Sequence, residues 1–155
     1  MEQLRNKTAP ELSVSRWFNT PEDMALASLR GRVVLLHTFQ MLCPGCVSHG
    51  TPQAERAHRL FRNTDLTVIG IHTVFEHHAA MTPVSLEAFI HEYRLTYPIG
   101  VDKTLAGSPI PETMQKYRHR TGSGLPTSPT SGQPRAGSMW RRSSTCFHGG
   151  WWAGR

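Results

Sequence analysis

Val33-Val34-Leu35-Leu36-His37-Thr38-Phe39-Gln40-Met41-Leu42-Cys43-Pro44-Gly45-Cys46 is the stretch on which the reading of this chain turns. Its first seven residues form a continuous β-branched and apolar run, the pattern of a strand buried on both faces of a parallel or mixed sheet. Two cysteines with two residues between them follow. From Val47 onward Ala54, Ala57 and Phe61 recur at helical spacing, with Arg56, Arg59 and Arg62 turned away from them. The spacing predicts a helix from about residue 43 to 61, kinked at Pro52, whose ring removes one backbone hydrogen bond.

That placement gives the cysteines a chemistry. The thiolate is the nucleophile, and an ordinary thiol, with a pKa near ~8.5, is mostly protonated at neutral pH. A cysteine in the first turn of a helix points its sulfur at unpaired backbone N–H groups and at the positive end of the helix dipole, and both favour the thiolate. A second cysteine one turn further in can attack a mixed disulfide and release the product. Cys43 is the candidate nucleophile and Cys46 the resolving thiol, with Pro44 and Gly45 fixing a tight entry that leaves the Cys43 sulfur uncrowded for substrate.

The flanking sequence supplies the rest of an α/β domain. Leu12 to Phe18 alternates, with Trp17 out of step, as a first strand or hairpin edge. Leu66 to Phe75 reads as a second strong strand. Ser85 is placed as the N-cap of a helix whose apolar face is Leu86, Phe89, Ile90 and Tyr93. Tyr97 to Val101 reads as a short edge strand, because Pro98 cannot donate to a ladder, and residues 111–117 as one or two helical turns. Strand–helix–strand–helix order predicts an α/β sandwich. After residue 120 the pattern stops: residues 121–137 are mostly Gly, Ser, Thr and Pro, and show neither the helical nor the strand period. The domain is therefore placed at residues 1–120, with residues 121–155 a low-complexity tail, disordered or out of frame.

Composition narrows the function. The formal charge of the 155 residues is +6, but Arg135, Arg141, Arg142 and Arg155, with no acid among them, supply +4 of it. Residues 1–120 carry 13 basic and 11 acidic groups and show no basic stripe interleaved with aromatics, which argues against nucleic acid as a partner. Three cysteines are too few for a disulfide framework. The polar N-terminus and the absence of a long apolar run predict a chain that is cytoplasmic and without membrane contact. Zinc is the alternative use of the pair, with His49 as a third ligand and His58 or Cys146 as a fourth, but no second ligand pair at regular spacing accompanies it. No metal or cofactor is called for. Of the nine histidines, His37 reads as a hydrogen-bonded core residue, His77 and His78 as a solvated loop at the active end of the sheet, and His49 as the one nearest the chemistry.

Ser28-Leu29-Arg30-Gly31-Arg32-Val33-Val34-Leu35-Leu36, then Thr38-Phe39, then Cys43-Pro44-Gly45-Cys46 and Pro52-Gln53 resemble the thioredoxin superfamily, and within it the redoxin branch of thiol-specific antioxidant (alkyl hydroperoxide reductase-like) proteins. The resemblance covers about residues 10 to 120. It implies a mixed central sheet flanked by helices, incomplete here at its C-terminal end, and thiol–disulfide exchange at Cys43 and Cys46 with a disulfide or peroxide substrate and a reducing thiol system as partners. It also implies a substrate-facing proline loop, for which Pro126 is the candidate, with strands after it that the sequence does not show. Leu42 stands where the family usually has tryptophan, and Pro52 falls six residues after Cys46 where many members have five. A thiol-dependent peroxidase is the second reading, though its usual threonine or serine is replaced by Gln40. A non-catalytic truncated remnant is the third.

Overall fold

The apolar run at residues 33–39 forms β2 (Val33–Phe39), and it pairs in parallel, residue for residue, with β3 (Leu66–His72) from Val33–Leu66 to Phe39–His72. The structure, a computed structural model, describes residues 8–118 and 151–154. Before β2 come β1 (Val14–Phe18) and a 3-10 turn (Leu26–Leu29); after it come a π-helical turn (Cys46–Gly50) and α1 (Thr51–Leu60). Beyond β3 lie α2 (Pro83–Glu92), β4 (Ile99–Asp102), α3 (Glu112–Arg118) and β5 (Trp151–Gly154). The sheet order is β1-β4-β3-β2-β5, with β3 parallel to both β2 and β4, and β1 and β5 antiparallel to their neighbours. The predicted α/β sandwich with a mixed central sheet is what forms.

Two cores sandwich the sheet. Phe39, Val68, Tyr97 and Ile99 pack with Ala54 of α1 and Leu86 and Ile90 of α2 on one face. Val34, Leu36, Ile69 and Ile71 pack with Tyr117 of α3 on the other, edged by Leu12, Val14 and Trp17. Because side chains alternate along a strand, Leu35, His37 and Phe39 share the α1/α2 face. Among the described residues no helix is long and apolar enough to cross a membrane.

Several expectations need correction. The break in step at Trp17 is a bulge: the β1–β4 register shifts between Val14 and Arg16, so Val14 and Trp17, three apart, reach the same core. β4 is interior, between β3 and β1, because Pro98 stands just outside it; there its missing N–H costs no ladder bond and its carbonyl accepts from Gly70 N at 2.8 Å. The cap of α2 is Thr82, whose Oγ1 accepts from Ser85 N at 3.2 Å, with Pro83 next to it in the first turn. Ser85 is thus inside the helix and is the residue being capped. Finally, residues 151–154 form β5 along β2 at Val34–His37, where the aperiodic sequence predicts no strand.

Candidate active site

At the C-terminal end of β2 the chain makes one turn, closed by Cys43 N donating to Gln40 O at 3.2 Å, and becomes helical at residue 44. Cys43 occupies the N-cap place. Its carbonyl accepts the first helical bond, from Val47 N at 3.0 Å, and its Sγ accepts the backbone N–H of Cys46 at 3.3 Å. The sulfur therefore stands where a serine or aspartate oxygen stands in an ordinary helix cap. A donor aimed at the sulfur stabilises negative charge on it, which is the condition for a nucleophilic thiol. Pro44 fills the first helical position, where its lack of an N–H is harmless. Gly45 has plain helical dihedrals, φ −67° and ψ −35°.

Both cysteines are buried, Cys43 at 3% exposure and Cys46 at 2%, in one cluster with Phe39, Met41 and Met81. The expected uncrowded Cys43 sulfur is not what forms. Both chain neighbours of Cys43 face solvent, Leu42 at 57% exposure and Pro44 on the other side. Gln40 is buried as well, and its Oε1 accepts from Phe75 N at 3.4 Å, tying the loop after β3 to the turn that carries Cys43.

The helix after Cys46 also differs from a kink at Pro52. Thr51 N donates to Cys46 O, five residues back, so Cys46–Gly50 is a π-helical turn that returns to α spacing at Thr51-Pro52. A π-turn holds one residue more than an α-turn. That absorbs the extra residue between Cys46 and Pro52, and the missing N–H of Pro52 falls at the junction. Under this turn lies His37: a Cβ on Gly50 would stand 2.7 Å from its Cε1, and its Nε2 is 3.5 Å from Thr51 Oγ1. Its ring stacks on Phe39, 5.3 Å away and 7° from parallel. Across from Phe39 on β3, 5.4 Å off, is His72, both of whose ring nitrogens are buried without a hydrogen-bond partner among the described residues. Burial pushes each imidazole down to about 4, so both are neutral at neutral pH.

The structure brings Cys43, Pro44, Gly45 and Cys46 together. Pro126 and Cys146 lie outside the described residues. His49 is exposed on the outer side of the helix, its Nδ1 2.7 Å from Ser48 Oγ, and His77 and His78 are exposed in the loop after β3. Among the described residues no three His, Cys, Asp or Glu groups gather as metal ligands, so the zinc set Cys43, Cys46 and His49 is not assembled. His37 is a core residue, as its place in the strand predicts; its contact with the helix leaves one trace in the sequence, the glycine at Gly50. His72, a histidine ending the largely apolar β3, gives no sign of its burial in the sequence.

A mixed sheet with a cysteine pair at the strand-to-helix junction, the helix starting on the first cysteine, is a thioredoxin-like fold. The chain belongs to the AhpC/TSA family, whose model matches residues 6–118. A crystallised thioredoxin-like superfamily protein is 52% identical, with a TM-score of 0.68 over 71% of this chain and 71% of that one. A thiol-disulfide isomerase from Corynebacterium glutamicum is 49% identical, with a TM-score of 0.68 over 73% of each chain. Protein DipZ of Mycobacterium bovis and of Mycobacterium tuberculosis is 31% identical over 116 residues, which are 73% of this chain and 16% of DipZ. The chain thus spans a small part of the curated relatives it matches. It is a member of a redox family with thiol–disulfide oxidoreductase-like relatives.

Proposed function

We propose that this chain is a thiol–disulfide oxidoreductase that reduces or exchanges disulfides through Cys43 and Cys46. The observation that carries the reading is the 3.3 Å bond from Cys46 N to Cys43 Sγ at the start of the helix. In the reducing direction the Cys43 thiolate attacks one sulfur of the substrate disulfide, and the other leaves as a thiolate that takes up a proton. The deprotonated Cys46 then attacks the Cys43 sulfur in the mixed disulfide and expels the second substrate thiol. The substrate gains two electrons, the chain is left as a Cys43–Cys46 disulfide, and a reducing thiol system restores it.

Pro44, Gly45 and Pro126 are assigned to the substrate side. Since Cys43 is buried, substrate has to displace what packs on it. Met41 and Met81 share its cluster, and unbranched, adaptable methionines suit that task. Gln40 supports disulfide over peroxide as substrate: in place of a hydroxyl it presents an amide whose oxygen is committed to Phe75 N.

The test is to equilibrate the protein in graded glutathione buffers, alkylate remaining thiols and weigh the intact chain. One sharp two-electron transition to a Cys43–Cys46 disulfide, with insulin-disulfide reduction exceeding peroxide consumption, is the expected result. A smear of glutathione adducts with no preferred internal disulfide overturns the reading.

A further inference from the structure

We propose that His37 is a positioning residue for Cys46: its buried ring, seated against Gly50 and Thr51, holds open the π-turn that sets where the second cysteine lies relative to the first. This rests on the exchange reading and deepens it.

In an α-helix the Thr51 amide would bond to Val47; here it bonds to Cys46 O. The backbone of the resolving cysteine is thus tied directly to Thr51, and whatever fixes Thr51 fixes Cys46. A π-turn has poorer intrinsic geometry than an α-turn and occurs mainly as single turns at functional sites, so something outside the helix must select it. His37 is in place to do so. Its ring occupies the space that a side chain on Gly50 would fill, with Cε1 at 2.7 Å from that Cβ position, and its Nε2 lies 3.5 Å from Thr51 Oγ1. His37 and Thr51 are 0% and 1% exposed, so neither has room to move aside. The ring cannot turn freely either, since it is stacked on Phe39. Its β-strand is paired on both sides at this residue, with Gly70 and with Trp151. Being neutral, the ring acts by shape and hydrogen bonding and not by charge.

An equally deep imidazole provides the comparison. His72 packs against Phe39 from the neighbouring strand β3, and both of its ring nitrogens lack a hydrogen-bond partner among the described residues. Removing it disturbs the same core without touching the link to Cys46.

The experiment measures the dithiol–disulfide equilibrium constant of Cys43–Cys46 in glutathione buffers for the wild type, His37→Ala, Gly50→Ala, the double variant and His72→Ala, with urea unfolding run in parallel. His37→Ala and Gly50→Ala are each expected to move the constant at least tenfold, about 30 mV for a two-electron couple. The double variant returns it to within threefold of wild type, because the space left by the ring accepts the new methyl. His72→Ala lowers stability but leaves the constant within twofold. If His37→Ala does not fold, Thr51→Val is the milder variant: it replaces the hydroxyl by a methyl group, and a threefold or larger shift that Thr51→Ser restores supports the proposal. A folded His37→Ala or Thr51→Val protein with an unchanged constant, or a double variant no closer to wild type than the singles, overturns it. A wild type that forms no Cys43–Cys46 disulfide overturns the exchange reading itself, a different failure from a sound transition that His37 does not influence.

Discussion

At the scale of single residues, Cys43 does two jobs that can be separated. Its sulfur caps a helix, accepting the Cys46 N–H at 3.3 Å, and it is the proposed nucleophile. A serine hydroxyl is a good N-cap, so Cys43→Ser keeps the helix start and stays within about 1 kcal/mol of wild-type stability, while disulfide exchange is abolished. Cys46→Ser retains the backbone N–H that bonds Cys43 Sγ and loses only the resolving thiol. It is expected to accumulate a stable one-to-one mixed disulfide when mixed with oxidised glutathione, seen as an adduct in the intact mass. With Cys146 replaced by serine in both variants, an adduct on Cys43→Ser and none on Cys46→Ser would mean that the roles are reversed. The proposed order of the two cysteines rests on helix polarity, which the sequence already shows. The burial of Cys43 is not legible there, since its cover comes from Met41 and from Met81, brought by the loop before α2.

At the scale of elements, what the sequence conceals is mostly where a regular ladder gains or loses a residue. The seven-residue β2 is plain from composition, and so is its parallel partner β3. The bulge in β1 and the π-turn before α1 each insert one residue into a regular repeat. Periodicity shows that the step is broken without showing how the backbone repairs it. Trp17 out of step and Pro52 one residue late are the traces those insertions leave. The displaced cap of α2 has another cause: Thr82 and Ser85 are both good caps, and Pro83 decides between them by favouring the first helical turn. This gives a test of the helix start. Thr82→Ala removes the acceptor of Ser85 N and is expected to cost about 1 kcal/mol, whereas Ser85→Ala stays within about 0.5 kcal/mol. Urea midpoints of the two variants decide it, and equal losses would mean that the helix begins elsewhere.

At the scale of the whole molecule, the two buried histidines make the core that carries the site sensitive to acid. His37 and His72 flank Phe39 on the α1/α2 face of the sheet. Burial lowers both to about 4 from an ordinary value of 6.5. In the unfolded chain each binds a proton as pH falls through 6.5; in the folded chain neither does until about 4. The unfolded state therefore holds more protons across that window, and stability falls as pH falls through it. A shift of this size corresponds to roughly 3 kcal/mol for each ring once pH is below both values, large against the ~5–15 kcal/mol of a typical domain. Glu55 belongs to a different window. Burial alone would raise its carboxyl, but the Thr96 N–H, Arg59 and the Thr96 hydroxyl together hold it below the usual carboxylate range. Its contribution is complete above pH 4.5 and is lost only below that. Urea unfolding between pH 8 and pH 4 is thus expected to show a plateau above neutrality and a steady loss beginning near 6.5, well before carboxylates titrate. His72→Leu, which keeps the volume apolar, should make that slope measurably shallower. A stability profile that stays level from pH 7 to pH 4.5, or one that His72→Leu leaves as steep, would mean that these imidazoles are reached by water or by acceptors when the protein is in solution, and that the core around Phe39 is more open than the packing of β2, β3 and α1 implies.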